Sequence, residues 1–170
     1  SKKEQSQEIS DLLSQYSKAL SLLEKYDAGT LAEPRGASAK FVLKYEDAAL
    51  IIKNIKAGLA AGSLFGSERG QMFEGVVKNI YQTFDGKELY GTTEQKAANL
   101  LYLIIKDHPF SDGNKRIGAF LFVYFLSKNN YLYKNNREKI DNNALVALAL
   151  LVAESNPKEK GTMVKIISNL

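Results

Sequence analysis

A chain of 170 residues, 45% hydrophobic and 25% charged with only three prolines, is sized and composed for one globular core. That composition excludes a disordered, collagen-like or disulfide-stapled protein. There is no cysteine and a single histidine, His108, which rules out thiolate metal sites, cysteine nucleophiles, paired-histidine zinc sites and histidine relays. The formal charge of +4 comes from 23 basic residues scattered among 19 acidic ones, a pattern that does not exclude nucleic-acid binding but gives it little support.

The polar start, SKKEQSQEIS, has none of the regions of a secretory signal, so the expected compartment is the cytoplasm. A chain that opens on Ser1 suggests a segment cut from a longer protein, with a further domain upstream. Ile9, Leu12, Leu13, Tyr16, Leu20 and Leu23 recur at three- and four-residue spacing, the stripe of an amphipathic helix. That stripe packs on the rest of the domain or leaves a homodimer or an upstream partner open. Asp27 to Lys40 is rich in Gly, Ala, Ser and Pro without a period and reads as a linker or an ordered loop. The chain thus divides into residues 1–39, helix and linker, and 40–170.

A helix is predicted from about Glu46 to Leu59, with Ile51, Ile52, Ile55 and Leu59 on one face. Ser67 can cap the next, which carries Met72, Phe73, Val76 and Val77. Around Asp85-Gly86, a dipeptide that tolerates the positive φ of a type I′ turn, Tyr, Thr, Ile and Phe predict a short β-hairpin. Thr92 and Gln95 form a capping box for a helix that ends at Asp107-His108-Pro109. Ile117 to Leu126 and Ala144 to Ala153 are ten-residue apolar runs, too short for a membrane span of about twenty residues. They read as helices buried on nearly every side. A last helix follows Pro157, with Met163, Ile166 and Ile167 inward. The fold class is all-α, a helical bundle with one short hairpin.

Between two of the most apolar segments lies HPFSDGNKR, residues 108 to 116. Gly113 lets successive backbone N–H groups point into a concavity, and the helix that starts near Asn114 adds its positive end: an anion nest. Lys115 and Arg116 in that first turn oppose the helix dipole, which suggests an anionic guest, with polyphosphate the natural one. Asp112 is a hard oxygen ligand suited to Mg²⁺ brought in with phosphates. His108 is the side chain that accepts a proton at neutral pH, hence a general base. Pro109 and Phe110 pin the start of the loop, Phe110 by plugging into the core.

HPFSDGNKR resembles the central motif of the Fic/Doc (Fido) family, H-P-F-x-D/E-G-N-G/K-R, at every defined position. The resemblance covers roughly residues 40 to 170 and implies a Fic-type helical bundle whose hairpin is a target-docking flap. The stretch from GSERGQMFEG onward also looks like the C-terminal Fic-type portion of RhuM-like virulence or death-on-curing proteins. The implied activity is protein modification with ATP as co-substrate and Mg²⁺. In that scheme His108 is the base, Asp112 the Mg²⁺ ligand, and Phe110, Gly113, Asn114, Lys115 and Arg116 the nucleotide and phosphate site. The flap, Ile80, Tyr81, Gln82, Thr83 and Phe84, would hold a target protein by β-augmentation. An antitoxin or an upstream domain is a further implied partner.

Many adenylylating members of the family continue their motif to a second arginine three residues on, where this chain has Ala119, and Lys115 precedes Arg116. The inhibitory S/T-x-x-x-E-G/N helix of such members is also missing, since the one glutamate followed by Gly or Asn, Glu74, has Gly70 four residues before it. The Doc branch shares the N-K-R ending and phosphorylates its target. The resemblance therefore implies AMP transfer to a Ser, Thr or Tyr hydroxyl, with Doc-like phosphorylation or a non-catalytic helical interaction domain as alternatives.

Overall fold

Thr92 starts the helix on which the rest is built. In the computed structural model, which describes residues 1–15, 24, 28–30 and 36–170, Thr92 Oγ1 accepts from the Gln95 amide and Gln95 Oε1 accepts from the Thr92 amide, each at 3.1 Å. The box satisfies two amides that a helix end would leave without partners. Among the described residues the helices are α1 (Lys2–Gln15), α2 (Tyr45–Gly58), α3 (Met72–Asn79), α4 (Thr93–Asp107), α5 (Asn114–Lys128), α6 (Asn142–Glu154) and α7 (Lys160–Ser168). The strands β1 (Thr83–Phe84) and β2 (Lys87–Glu88) precede α4, and β3 (Tyr133–Lys134) and β4 (Arg137–Glu138) follow α5. The architecture is all-α with two short antiparallel hairpins.

The chain divides into two units, Ser1–Glu33 with Asn169 and Pro34–Ser168 with Leu170. In the first, α1 has its amino terminus paired with Glu4 at 3.0 Å, and Ile9 is exposed. Tyr16, Leu20 and Leu23 of the expected stripe, and residues 27 and 31–35 of the expected linker, lie outside the described residues.

The second unit is organised by α4, which packs against α3, α5, α6 and α7. Leu100, Leu101, Ile104 and Ile105 of α4 meet Ile117, Leu121, Phe122 and Phe125 of α5 in one buried cluster. Each such side chain removed from water contributes about 1.5–3 kcal/mol. Residues 36–41 are stitched to this unit: the Ala37 carbonyl accepts from the Thr93 amide at 3.1 Å, Tyr131 Oη accepts from the Ala37 amide at 2.9 Å, and Asn129 Oδ1 accepts from the Phe41 amide at 2.9 Å.

The predicted hairpin is present, with Thr83 opposite Glu88 and Phe84 opposite Lys87, and with Asp85 and Gly86 at φ 53° and 76°. Its base is anchored by a buried lysine on α4: Lys96 Nζ pairs with Glu88 Oε1 at 3.2 Å and donates to the Tyr90 carbonyl. The second hairpin was not anticipated. Its turn is Asn135-Asn136, at φ 53° and 62°, and asparagine is among the few residues other than glycine that tolerate the left-handed region.

Three sequence expectations are corrected. Ser67 caps no helix; α3 begins at Met72 after Gln71, with no side-chain cap. The run Ala144 to Ala153 forms α6 but is buried on one face only, through Leu148, Ala149 and Val152, while Val146, Leu150 and Leu151 are exposed. Leu59 and Met72 likewise end up exposed, Leu59 just after the last residue of α2 and Met72 at the first residue of α3. No described helix is long and apolar enough to cross a membrane.

Candidate active site

Helix α4 stops at Asp107, and His108 takes the left-handed C-cap conformation, φ 49° and ψ 59°. That position usually holds glycine, and a side chain there costs about 1–2 kcal/mol. A neighbouring segment holds it in place. Arg69 Nη1 donates to the His108 carbonyl at 3.2 Å and the Arg69 amide donates to the Pro109 carbonyl at 2.8 Å. The Ser111 amide donates to the Ser67 carbonyl at 2.9 Å, and the Gly66 amide to the Asp112 carbonyl at 3.1 Å. Residues 65–69 therefore run along the motif loop, bridging Glu68 to Phe110 and Phe65 to Asp112. Tyr45 Oη on α2 donates to Glu68 Oε2 at 2.7 Å, and this bond to a carboxylate pushes the phenol up to about 12. Sequence reasoning missed this clamp; main-chain bonds between distant loops leave no residue pattern.

Phe110 is fully buried, its ring 4.8 Å from that of Phe73. It does not line the cavity described below, so its expected place among the nucleotide ligands is corrected to a core anchor. Its backbone orients Asn114 from both sides: the Phe110 amide donates to Asn114 Oδ1 at 3.0 Å, and Asn114 Nδ2 donates to the Phe110 carbonyl at 2.8 Å. The amide's orientation is thereby set, and Nδ2 also faces His108 Nδ1 at 3.3 Å. The Asn114 side chain is committed to the loop, and its backbone N–H is what it offers an anion.

Gly113 has φ 89°, and a Cβ there would lie 2.5 Å from two ring atoms of Phe65, so only glycine fits. Phe65 in turn supports Arg116, whose guanidinium lies 4.8 Å from the ring centroid. Asp112 Oδ2 and Arg116 Nη2 are 3.5 Å apart, both half-exposed, a contact that an arriving ligand can replace. His108, Ser111, Asp112, Gly113, Asn114, Lys115 and Arg116 line one cavity of about 330 Å³. The amino end of α5, without a side-chain cap, opens into it and adds positive potential to Lys115 and Arg116.

The cavity thus combines a proton acceptor, an anion nest and one carboxylate. Among the described residues no three His, Cys, Asp or Glu side chains gather as a metal cage. A single exposed carboxylate beside a phosphate nest suits Mg²⁺, which keeps waters and binds through one or two carboxylates plus substrate phosphates. Asp112 is the residue that would hold it.

The flap residues are not brought into this cavity. Ile80 is fully buried at the end of α3, and Tyr81 Oη accepts from the Leu43 amide at 2.6 Å, so these two belong to the framework. Gln82, Thr83 and Phe84 are exposed.

A comparison with protein families matches the Fic/DOC family over residues 42–126, a stretch that holds α2, the clamp segment, the hairpin, α4, the motif loop and most of α5. No curated protein and no solved structure gives a match. The match and the loop geometry agree: the chain belongs to the Fic/DOC family, whose members are protein-modifying transferases.

Proposed function

We propose that this chain transfers AMP from ATP to a Ser, Thr or Tyr hydroxyl of a target protein. The observation that carries this reading is the convergence of His108, Asp112 and the α5 amino end on one cavity. The target hydroxyl gives its proton to the imidazole of His108, and its oxygen attacks the α-phosphorus. The bond from that phosphorus to the oxygen bridging to the β-phosphate breaks, and pyrophosphate leaves with the electron pair. The loop amides, Lys115 and Arg116 bind the phosphates and offset their growing charge, the term that dominates phosphoryl transfer. Asp112 holds Mg²⁺, which neutralises phosphate charge when bound. The edge of the hairpin, Gln82 to Phe84, receives the target segment as an added strand, so main-chain bonds carry affinity without a strict sequence requirement.

A second reading, transfer of the γ-phosphoryl group with ADP leaving, is favoured by Lys115 before Arg116 and by Ala119 where a second arginine would sit. The two are separated by incubating the protein and Mg²⁺ with a host lysate and ATP labelled at the α- or the γ-phosphate. Label in protein from the α-position, abolished by His108→Ala, is the expected result. Label from the γ-position alone establishes the kinase instead. No transfer from either, with ATP still bound, leaves an interaction domain and sinks both enzyme readings.

A further inference from the structure

The second hairpin carries a juxtaposition that the first avoids. In β1–β2 the residues that face each other next to the turn are Phe84 and Lys87; in β3–β4 they are Lys134 and Arg137. Side chains directly opposite on antiparallel strands have Cβ atoms about 4.5–5.5 Å apart, and like charges there repel. Among the described residues Lys134 and Arg137 make no ion pair and lie over no ring. Their neighbours Lys128 and Lys139 do rest on rings, those of Phe41 and Tyr131, at 5.3 and 4.9 Å from the centroids. Every residue from Tyr133 to Lys139 is exposed. From Lys128 to Lys139 four cations stand against one carboxylate, Glu138, so most of the chain's net charge of +4 is gathered here.

Nothing in the described fold offsets the repulsion between Lys134 and Arg137, and an anion laid across the pair does. The hairpin has two strands and therefore a free edge of backbone N–H and C=O groups, which accepts an added strand. Side chains of a strand alternate between faces, so carboxylates at every second residue of the added strand all lie on the face of Lys134 and Arg137. A nucleic-acid backbone fits less well: a protein on duplex DNA commonly neutralises about six to ten phosphates, and here a carboxylate sits between Arg137 and Lys139. The root of the hairpin points to the protein that supplies the strand. The Ala37 carbonyl accepts from the Thr93 amide, at the start of the helix into which β1–β2 leads, and the Ala37 amide donates to Tyr131 Oη, at the base of β3–β4. Both hairpins are thus tied to one residue at the amino end of α4. Over its 15 residues α4 puts about 22 Å between that end and His108, which about seven extended residues cover. We infer that β3–β4 docks an acidic, extended segment of the protein that the motif loop modifies, about seven residues or more from the modified hydroxyl. The inference rests on the reading of the chain as a transferase and adds a property of its target.

The test is fluorescence anisotropy on the full chain with three labelled probes: a peptide of alternating Glu and Thr about ten residues long, the same peptide with Gln for Glu, and an oligothymidylate of equal charge. The Glu peptide is expected to bind and the Gln peptide not, with affinity falling as NaCl rises from about 50 to 500 mM. Lys134→Gln combined with Arg137→Gln is expected to weaken the Glu peptide about fivefold, the scale of two exposed ion pairs, while Lys2→Gln with Lys3→Gln leaves it unchanged. The melting temperature of the hairpin variant should equal or exceed that of the wild type, because the opposed charges are gone; a fall makes the two cations structural and overturns the inference. So does equal loss in both variants, which reports net charge alone, and so does a Glu peptide that binds no better than the Gln peptide. Tighter binding of the oligothymidylate marks a nucleic-acid surface and overturns it likewise. Label transfer into lysate protein is expected to drop in the hairpin variant at unchanged ATP affinity; unchanged transfer detaches the surface from the modified protein and overturns the inference too. If the wild type transfers no label while the Glu peptide binds at the hairpin, the transfer reading is what fails and the acidic docking surface stands.

Discussion

Arg69 holds the backbone of His108 by donating from Nη1 to its carbonyl at 3.2 Å, while the Arg69 amide donates to the next carbonyl in the chain at 2.8 Å. The side chain never enters the cavity lined by His108, so it acts by fixing a left-handed residue whose imidazole must face the nest. Arg69→Met is expected to lower the rate of label transfer by about 10- to 100-fold, the scale of a small misplacement of a catalytic group. A positioning role predicts that ATP affinity stays near wild type. A parallel collapse of ATP binding would show that Arg69 acts on the phosphate site instead.

Gly113→Ala meets both a positive φ and the Phe65 ring. The two penalties together are expected to cost about 2–4 kcal/mol of stability, read from the denaturant midpoint. Adding Phe65→Ala should return the packing part alone, because the backbone strain at φ 89° remains. Full recovery in the double variant would mean that the ring contact was the whole effect.

Asp112→Asn is expected to abolish most Mg²⁺-dependent transfer with the melting temperature unchanged. The Asp112 contact with Arg116 is half-exposed on both sides, and such pairs contribute about 0–1 kcal/mol. A large melting shift would make Asp112 a structural residue and remove it from the metal.

Tyr45 offers a pH signature. Its phenol is raised to about 12 in the folded chain, chiefly by donating to Glu68, against 10.0 as the ordinary value. From pH 10 upward the unfolded chain releases this proton while the folded chain keeps it, so the contribution is present below pH 10 and lost between 10 and about 12. Tyr45→Phe should therefore show a shallower alkaline fall in stability than the wild type across that window. Matching alkaline curves would mean that the bond to Glu68 gives no net stabilisation.

Lys96 and Glu88 should respond asymmetrically. Glu88→Gln leaves a buried ammonium without its counter-charge, whereas Lys96→Met leaves a half-exposed carboxylate that water solvates. Glu88→Gln is expected to be the more destabilising by about 1–2 kcal/mol in chemical denaturation. The reverse order would show that the lysine's bond to the Tyr90 carbonyl, not the ion pair, anchors the hairpin.

The sequence by itself determined the local features: the capping box at Thr92, the type I′ turn at Asp85-Gly86, the stop of α4 at Asp107, and the HPFSDGNKR loop with its sole histidine. Each depends on bonds or backbone angles within a few residues, so residue type and spacing are enough to read it. Burial followed only in part, since an apolar run shows that a helix has faces to hide but not how many neighbours arrive to cover them; α6 keeps Val146, Leu150 and Leu151 in solvent for that reason. Tertiary structure alone decided the clamp of residues 65–69 on the motif loop and the seat of Arg116 on the Phe65 ring. Those arise where segments far apart in the chain come together, through main-chain carbonyls and ring faces that every sequence carries. The site's chemistry is therefore written in nine consecutive residues, and its geometry in partners the motif does not contain.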